Sequence, residues 1–434
     1  MGQRRPPSVG KQREYGVELT VTTIGARGDG LADWEGGRVF LPLTAPGDRV
    51  RVRLGPATAE GRRGEVVEWL ARGEGVAEPI CRHFGRCGGC TLQHLAPAAY
   101  RAWKAGQAAA ALARAGFESE TSLEVAATLP GGRRRAEFTV VRRGGAVLAG
   151  FSERLSHRLV DLAECPVLAP QLAALPALLR LHLGAVLPEG GAAEATATLL
   201  EGGVDLLLTG PQRLDLPARL ALADLAEAAD LGRLSWRPDG RTPPEPVAAR
   251  RPLRVLFGGV AVEPPAGGFL QASGDGEAAL IAAVLAGVGP GQGALADLYC
   301  GCGTFSLPLA AAGWRVHGVD GTAPALTALA AAARILPGLT TELRDLGRQP
   351  LEPRDLARFS AAVFDPPRAG AAAQAAALAA SAVPVVVAVS CNPATFARDA
   401  RLLAGGGYGL VSALAVDQFL WSAHLELVAV FRRG

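Results

Sequence analysis

Cys391 stands in Ser390-Cys391-Asn392-Pro393, directly after the apolar run Val385-Val386-Val387-Ala388-Val389. β-Branched residues pack well in a sheet covered on both faces, so the run reads as a buried strand. Asn-Pro ends it, and the thiol lands at the strand's C-terminal tip. In open α/β sheets, ligands and reacting groups gather at that end. Upstream, a second short strand, Ala361-Ala362-Val363-Phe364, runs into Asp365-Pro366-Pro367-Arg368 in the same way. Downstream, His424-Leu425-Glu426 lies between a short strand at Gln418-Phe419-Leu420 and the apolar Leu427-Val428-Ala429-Val430-Phe431. A lone buried cysteine is usually inert packing. A thiol, two carboxylates and an arginine on the strand ends of one domain form an enzyme's outline.

A second motif belongs to the same part of the chain. Asp297-Leu298-Tyr299-Cys300-Gly301-Cys302-Gly303-Thr304-Phe305 follows a short strand and opens a helix at 306–312. Glycine there lets backbone approach a ligand, and the helix start offers free N–H groups. Further on, Val316-His317-Gly318-Val319-Asp320 ends another strand in a carboxylate placed for ribose hydroxyls. One G-x-G preceded by Asp297 favours S-adenosylmethionine over NAD, whose fingerprint needs three glycines. Cys300 and Cys302 read as small loop fillers.

Cys81, Cys87 and Cys90 form a C-x5-C-x2-C knuckle, and Gly88-Gly89 allows the tight wrap that thiolates sharing one centre require. Cys165, in Glu164-Cys165-Pro166, is the remaining cysteine outside the C-terminal domain and the expected fourth ligand. Four thiolates suit a [4Fe–4S] cluster or a tetrahedral zinc. Three clustered cysteines and a distant one before proline lean to the cluster, with reduced structural thiols as the remaining reading. His83 and His94 read as polar bystanders.

The elements that must position these groups can be outlined. The 434 residues suffice for two to four domains with a substantial core. No long unbroken apolar run and no signal peptide open a membrane or export route, so a cytoplasmic location is expected. Seven cysteines in such a chain read as ligands or catalysts rather than disulfides. Residues 1–160 carry 24 basic and 16 acidic side chains, a sign that suits an RNA partner as well as an ordinary basic surface. Residues 1–12 read as a disordered lead-in. From 15 to 70, short β-branched runs alternate with glycine turns, and arginines alternate along 49–53, as in a small five-stranded OB-like barrel. A helix is expected at about 96–116, then a central α+β region with strands near 135–141 and 147–151. Pro238 to Pro252 reads as a linker. From about 253, strands alternating with alanine-rich helices predict a doubly wound, Rossmann-like parallel sheet.

Taken together these motifs resemble the bacterial RNA uridine-C5 methyltransferases, which make 5-methyluridine in 23S ribosomal RNA and tRNA. The resemblance spans nearly the whole chain. The segment from Gly28-Asp29-Gly30 to Pro46-Gly47-Asp48 resembles the TRAM domain, a small RNA-binding barrel. It implies three domains: a TRAM-like barrel at 13–72, a central domain with an iron–sulfur knuckle at 76–250, and a methyltransferase domain at 251–434. Relatives with both the barrel and four such cysteines carry a [4Fe–4S] cluster and mostly modify ribosomal RNA, whereas tRNA-specific relatives usually lack both. By the same resemblance Cys391 is the nucleophile and Glu426 the general base. Gln271, Tyr299, Thr304, Asp320, Asp345 and Asp365 face S-adenosylmethionine. Cys81, Cys87, Cys90 and Cys165 hold the cluster. Thr304 stands where relatives often have Asn, and Ala332-Ala333 replaces a common Asn-Ala.

The implied reaction explains these residue types. Uracil C5 is a weak nucleophile until a thiolate adds to C6 and makes an enolate, which takes the methyl group; a base then removes the C5 proton and the thiol is eliminated. The target base must leave its stack, and Arg133-Arg134-Arg135 with the basic barrel would hold phosphates. Arg368 either orients its loop or favours the enolate, or is a plain salt-bridge residue, and His424 is read as a structural partner of Glu426. A tRNA substrate is the nearest alternative. An amino-group methyltransferase would want an aromatic residue where Arg368 stands, and a non-catalytic RNA assembly factor would not need Cys391 with Glu426. A monomer is expected.

Overall fold

The computed structural model describes residues 16–117, 123–291 and 293–434, so the lead-in expected at 1–12 lies outside the described residues. The chain divides into two compact units: one runs to Pro79 and takes in Thr91–Tyr100, and the other holds Ile80–Cys90 and everything from Arg101.

The first unit is built on β1 (Val17–Thr20), β2 (Thr23–Ile24), β3 (Gly30–Trp34), β4 (Gly37–Leu41), β5 (Arg49–Thr58) and β6 (Gly61–Ala71). They form a sheet in the order β1-β5-β6-β4-β3-β2, six strands where five were expected, the extra one being the two-residue β2. Along β5 the period of two puts Val50 and Val52 into a core with Leu19, Val39 and Leu41. The intervening arginines are turned outward, where Arg51 pairs with Glu18 and Glu68, and Arg53 with Glu65. Much of the positive charge on that face is therefore already matched. Asp48 is buried and accepts from the Ala45 and Gly73 amides at 2.7 and 2.8 Å, which ties the Pro46-Gly47-Asp48 turn to the end of β6.

The second unit takes in α1 (Pro97–Ala115) from Arg101 onward and β7 (Val125–Ala127). There follow β8 (Arg135–Arg143), β9 (Ala146–Ser152), β10 (Leu159–Asp161), α2 (Pro170–His182), β11 (Ala192–Leu200), β12 (Gly203–Thr209), α3 (Leu216–Ala228), β13 (Leu231–Arg237) and β14 (Glu245–Ala249). These strands make a mixed sheet in the order β10-β9-β8-β11-β12-β13-β14, with α2 and α3 packed on it. The expected linker at 238–252 is not one: its second half is β14, antiparallel to β13 at the sheet edge, where Pro246 costs no ladder bond. Arg250 and Arg251 close on Asp230 just after it.

Next come the hairpin β15 (Val255–Phe257) and β16 (Val260–Val262), then α4 (Gly274–Val288), β17 (Ala294–Leu298), α5 (Ser306–Ala311), β18 (Arg315–Asp320), α6 (Ala323–Ala332) and β19 (Leu339–Leu343). The chain finishes with α7 (Pro353–Leu356), β20 (Ala361–Phe364), α8 (Ala372–Ala379), β21 (Val385–Ser390), α9 (Pro393–Gly405), β22 (Tyr408–Asp417) and β23 (Glu426–Arg433). The large sheet has the order β19-β18-β17-β20-β21-β23-β22-β7. Its first five strands are parallel, as expected of a doubly wound sheet, but β23 is antiparallel to β21 and β22 to β23. β7 adds an eighth strand from before the central sheet. Helices cover both faces: α1, α8 and α9 pack on one, α4 and α5 on the other. The predicted strand at Gln418-Phe419-Leu420 is displaced. β22 ends at Asp417, and Gln418 starts the loop to β23, its side-chain amide engaged by Ala272 and Gln271. No helix among the described residues is long and apolar enough to cross a membrane.

Candidate active site

Four strand ends meet at one edge of the large sheet. β17 runs into the Tyr299–Phe305 loop, β18 ends at Asp320, β20 feeds Asp365, and β21 feeds Cys391. β23 runs the opposite way, so its first residue, Glu426, falls beside the tip of β21, one position beyond the Ser390–Leu427 pair. The antiparallel strand that departs from the expected sheet thus delivers the second carboxylate.

The loop after β17 is shaped by backbone. Tyr299 has φ +65, and its amide and that of Cys300 both donate to the Val319 carbonyl, at 2.8 and 3.2 Å. Gly301, at φ +53, donates to Asp320 at 2.9 Å, and a Cβ built there would meet no atom within 4 Å. The chain leaves open space beside Gly301, the kind of cradle a ligand fills. Gly303, at φ +98, has its missing Cβ 2.5 Å from Leu329, so it closes the loop onto α6. Thr304 is half-buried in the loop. Cys300 and Cys302 are buried in apolar packing, and burial raises both thiols, as loop fillers require.

Beneath the loop Asp297 is fully buried and accepts from the Ser306 hydroxyl at 2.5 Å; its other oxygen, Oδ1, has no partner. Burial lifts its carboxyl to about 7; the Ser306 bond opposes this, and Asp365 and Asp320 add to it. Three carboxylates within electrostatic reach of one another suit a cationic ligand such as a sulfonium. Asp345 is exposed and caps its own turn through Gly347 N–H at 3.0 Å, although its charge reaches Tyr299.

The opposite end of the site is a chain of buried side chains. Gln271 donates to Asp365 at 3.0 Å and accepts from Gln418 at 2.7 Å, and Gln418 also donates to Glu426 Oε1 at 3.0 Å. Glu426 is buried, its Oε2 has no hydrogen-bond partner, and burial with the Asp365 charge holds its carboxyl well above the usual range. Asp365 is lifted to about 7, chiefly by burial and against the Gln271 bond. Cys391 is half-buried, and its thiol is pushed up to about 11 by burial, then by Glu426 and Asp365, with Arg368 pulling the other way. Arg368 is exposed, and its carbonyl accepts from Asn392 at 3.0 Å, tying the two predicted loops together. His424 does not pair with Glu426 as expected: its ring meets Phe419 edge-on and its carbonyl accepts from Lys104.

Sequence reading did not single out Gln418, Lys104 or Asp417. Lys104 and Asp417 form a fully buried ion pair at 2.8 Å at the base of the loop that carries Gln418. A signal existed: Lys104 shares its helix face with Ala108, Ala111, Leu112 and Ala115, and a lysine on an apolar stripe implies a buried partner.

The four predicted metal ligands all lie in the second unit and are half-buried. Burial raises the Cys87 and Cys165 thiols, and each feels the charge of Cys81. Cys87 accepts from Gly89 N–H at 3.5 Å, and the Cys165 carbonyl accepts from Leu168 N–H at 3.3 Å. Arg133 beside them feels Cys165 and Cys90. Among the described residues no three His, Cys, Asp or Glu side chains are gathered as a single metal ion would need. A four-iron cube takes one thiolate per iron and asks less convergence of its ligands than one zinc does.

No family model matches the chain. An uncharacterized RNA methyltransferase of Caulobacter vibrioides is 45% identical over 428 residues, covering 96% of this chain and all of that protein. One of Brucella suis is 42% identical over 421 residues, covering 96% of this chain and 98% of the relative. The 23S rRNA (uracil(1939)-C(5))-methyltransferase of Halomonas elongata is 36% identical over 447 residues, covering 98% of this chain and 91% of the relative. Among solved structures, the tRNA (uracil-54, C5)-methyltransferase of Pyrococcus abyssi, in complex with S-adenosyl-L-homocysteine, superposes with a TM-score of 0.73 at 23% identity, covering 95% of this chain and 99% of that one, a likeness of fold. On sequence identity sustained over almost its full length, the chain belongs to the RNA (uracil-C5)-methyltransferase family of enzymes.

Proposed function

We propose that this enzyme methylates a uridine of 23S ribosomal RNA at C5, with Cys391 as nucleophile and Glu426 as base. The observation that carries the reading is Glu426 Oε2, a buried carboxylate oxygen without a partner, in the same electrostatic neighbourhood as the Cys391 thiol. A polar atom left unsatisfied in a dry site is costly unless a substrate completes it. The Cys391 sulfur bonds to C6, and the ring electrons shift to C5 and O4. When bound, S-adenosylmethionine supplies the methyl cation that C5 takes. Glu426 Oε2 accepts the C5 proton, the C5–C6 double bond re-forms, and the Cys391 thiolate leaves. The open side of Gly301, with Gln271, Tyr299, Thr304, Asp320, Asp345 and Asp365, is the cofactor side in this reading.

Residues 13–72 serve as an RNA-binding TRAM-like barrel, 76–250 as the cluster-bearing domain and 251–434 as the methyltransferase. Cys81, Cys87, Cys90 and Cys165 would hold a [4Fe–4S] cluster. The Gly89 amide on the Cys87 sulfur and the neighbouring Arg133 suit an anionic iron–thiolate group, whose potential such bonds tune. The 23S substrate follows the Halomonas relative, and a tRNA substrate is the reading it must beat.

Incubating the enzyme with 5-fluorouridine RNA and S-adenosylmethionine should trap a covalent Cys391 complex, because fluorine cannot leave as the proton does. Cys391→Ala should abolish both trapping and turnover while still binding the cofactor. Turnover in that variant would end the covalent reading, and mapping 5-methyluridine in 23S RNA and tRNA from cells lacking the protein would decide the substrate.

A further inference from the structure

A base works when its free lone pair is aimed, and Glu426 has one oxygen engaged and one free. The engaged oxygen is held by Gln418, whose amide orientation is settled by its surroundings: Oε1 accepts from the Ala272 N–H at 2.8 Å, so the NH2 end must face Gln271 and Glu426. Each of its two hydrogens then has one acceptor, Gln271 Oε1 at 2.7 Å and Glu426 Oε1 at 3.0 Å. Gln271, its own amide thereby oriented, donates from Nε2 to Asp365 Oδ2 at 3.0 Å. Donors and acceptors run in one sense from Gln418 outward, and Gln271, Gln418 and Glu426 are each at most 4% exposed. Water does not compete for these bonds, and every member of a dry network is felt by the others.

The loop that presents Gln418 is clamped at both ends. Asp417 pairs with Lys104 at 2.8 Å, and its carbonyl accepts from the Thr128 hydroxyl and amide at 2.9 and 3.2 Å. Lys104 also donates to the His424 carbonyl, two residues before Glu426.

We propose that Gln418 is a positioning residue: it pins Oε1 of Glu426, leaves Oε2 for the C5 proton, and joins the base to the Gln271–Asp365 side of the pocket. This rests on Glu426 being the base. The groups that face Glu426 are Asp365 after β20 and Cys391 after β21, with Arg368 against the thiol and Lys104, Asp417 and His424 about its own loop. Among these contacts the Gln418 amide favours the ionised carboxylate, whereas burial and Asp365 oppose it. Removing the amide therefore misaims the base and moves its ionisation to higher pH.

The test uses the full-length enzyme with its RNA substrate and S-adenosylmethionine, following the Cys391–RNA adduct by rapid quench across pH. Gln418→Met keeps length and removes both N–H groups. It should form adduct at close to the wild-type rate yet release product about 10- to 100-fold more slowly, so methylated adduct accumulates and the rising limb of the release profile moves to higher pH. Gln418→Asn retains an amide too short to reach both partners and should show the same accumulation, which keeps the test available if the Met variant does not fold. Adduct formation and release slowed in proportion, with an unmoved pH profile, would reduce Gln418 to a structural residue. Glu426→Gln run alongside separates the two claims. If it turns over like wild type, the base assignment falls and this inference with it; if it stalls as adduct while both Gln418 variants release normally, the inference about Gln418 alone falls.

Discussion

Burial and two carboxylates hold the Cys391 proton on, with Arg368 alone among the named neighbours pulling it off. The reactive form is the thiolate, whose fraction below the midpoint grows about tenfold per pH unit. Alkylation of Cys391 by iodoacetamide in the ligand-free enzyme, followed on its peptide by mass spectrometry, should therefore keep rising toward pH 11. Arg368→Ala should slow it at any pH below that. A plateau near the free-cysteine value would contradict the sign. Cys391 and Asp365 were legible in the sequence because proline and strand-like runs fix where a strand stops, and Glu426 because it immediately precedes the apolar run that makes β23. Gln418 was not legible, since an amide's worth depends on which acceptors the fold brings to it from positions 271 and 426. His424 was misread for the same reason: sequence proximity to Glu426 says nothing of the partners the fold supplies, which for His424 are the Phe419 ring and, at its carbonyl, Lys104.

Elements explain where those side chains can be. The parallel strands 294–298, 315–320, 361–364 and 385–390 were expected from their apolar runs, and they carry the loops named from sequence. The reversed β23 and the added β7 were not expected, because strand direction is a property of connections and not of residue pattern. Besides their shared apolar core, the C-terminal hairpin and α1 are tied by the Lys104–Asp417 pair, both side chains fully buried. Burial lowers the Lys104 pKa, and Asp417 restores part of its charge. Lys104→Met would leave Asp417 buried without its cation, and breaking such a pair typically costs about 3–5 kcal/mol. A clear loss of thermal stability is expected, together with impaired product release because the Gln418 loop loses an anchor. A melting temperature equal to wild type would show that the pair is dispensable.

At the scale of the molecule, composition and charge were the weakest guides. The excess of arginine before residue 160 pointed to a polyanion, yet Arg51 and Arg53 are already matched by glutamates on neighbouring strands. An RNA-binding role for the first unit must rest on other side chains. The cysteine knuckle was legible as spacing, and the fold adds the Gly89 amide on the Cys87 sulfur, which spacing cannot reveal. Anaerobically purified protein should be brown, and Cys165→Ala should lower both its iron content and its stability. A colourless protein holding stoichiometric zinc would overturn the cluster. The placement of α1 has a further consequence, for synthesis. Lys104 leaves the ribosome 313 residues ahead of Asp417, an interval of about 15–60 s at ~5–20 residues per second. Throughout it the stripe of Ala108, Ala111, Leu112 and Ala115 lacks the finished sheet that covers it, whose last strands are β22 and β23. The nascent chain must therefore keep an apolar helix, with a lysine destined for the interior, in waiting until its last strands emerge.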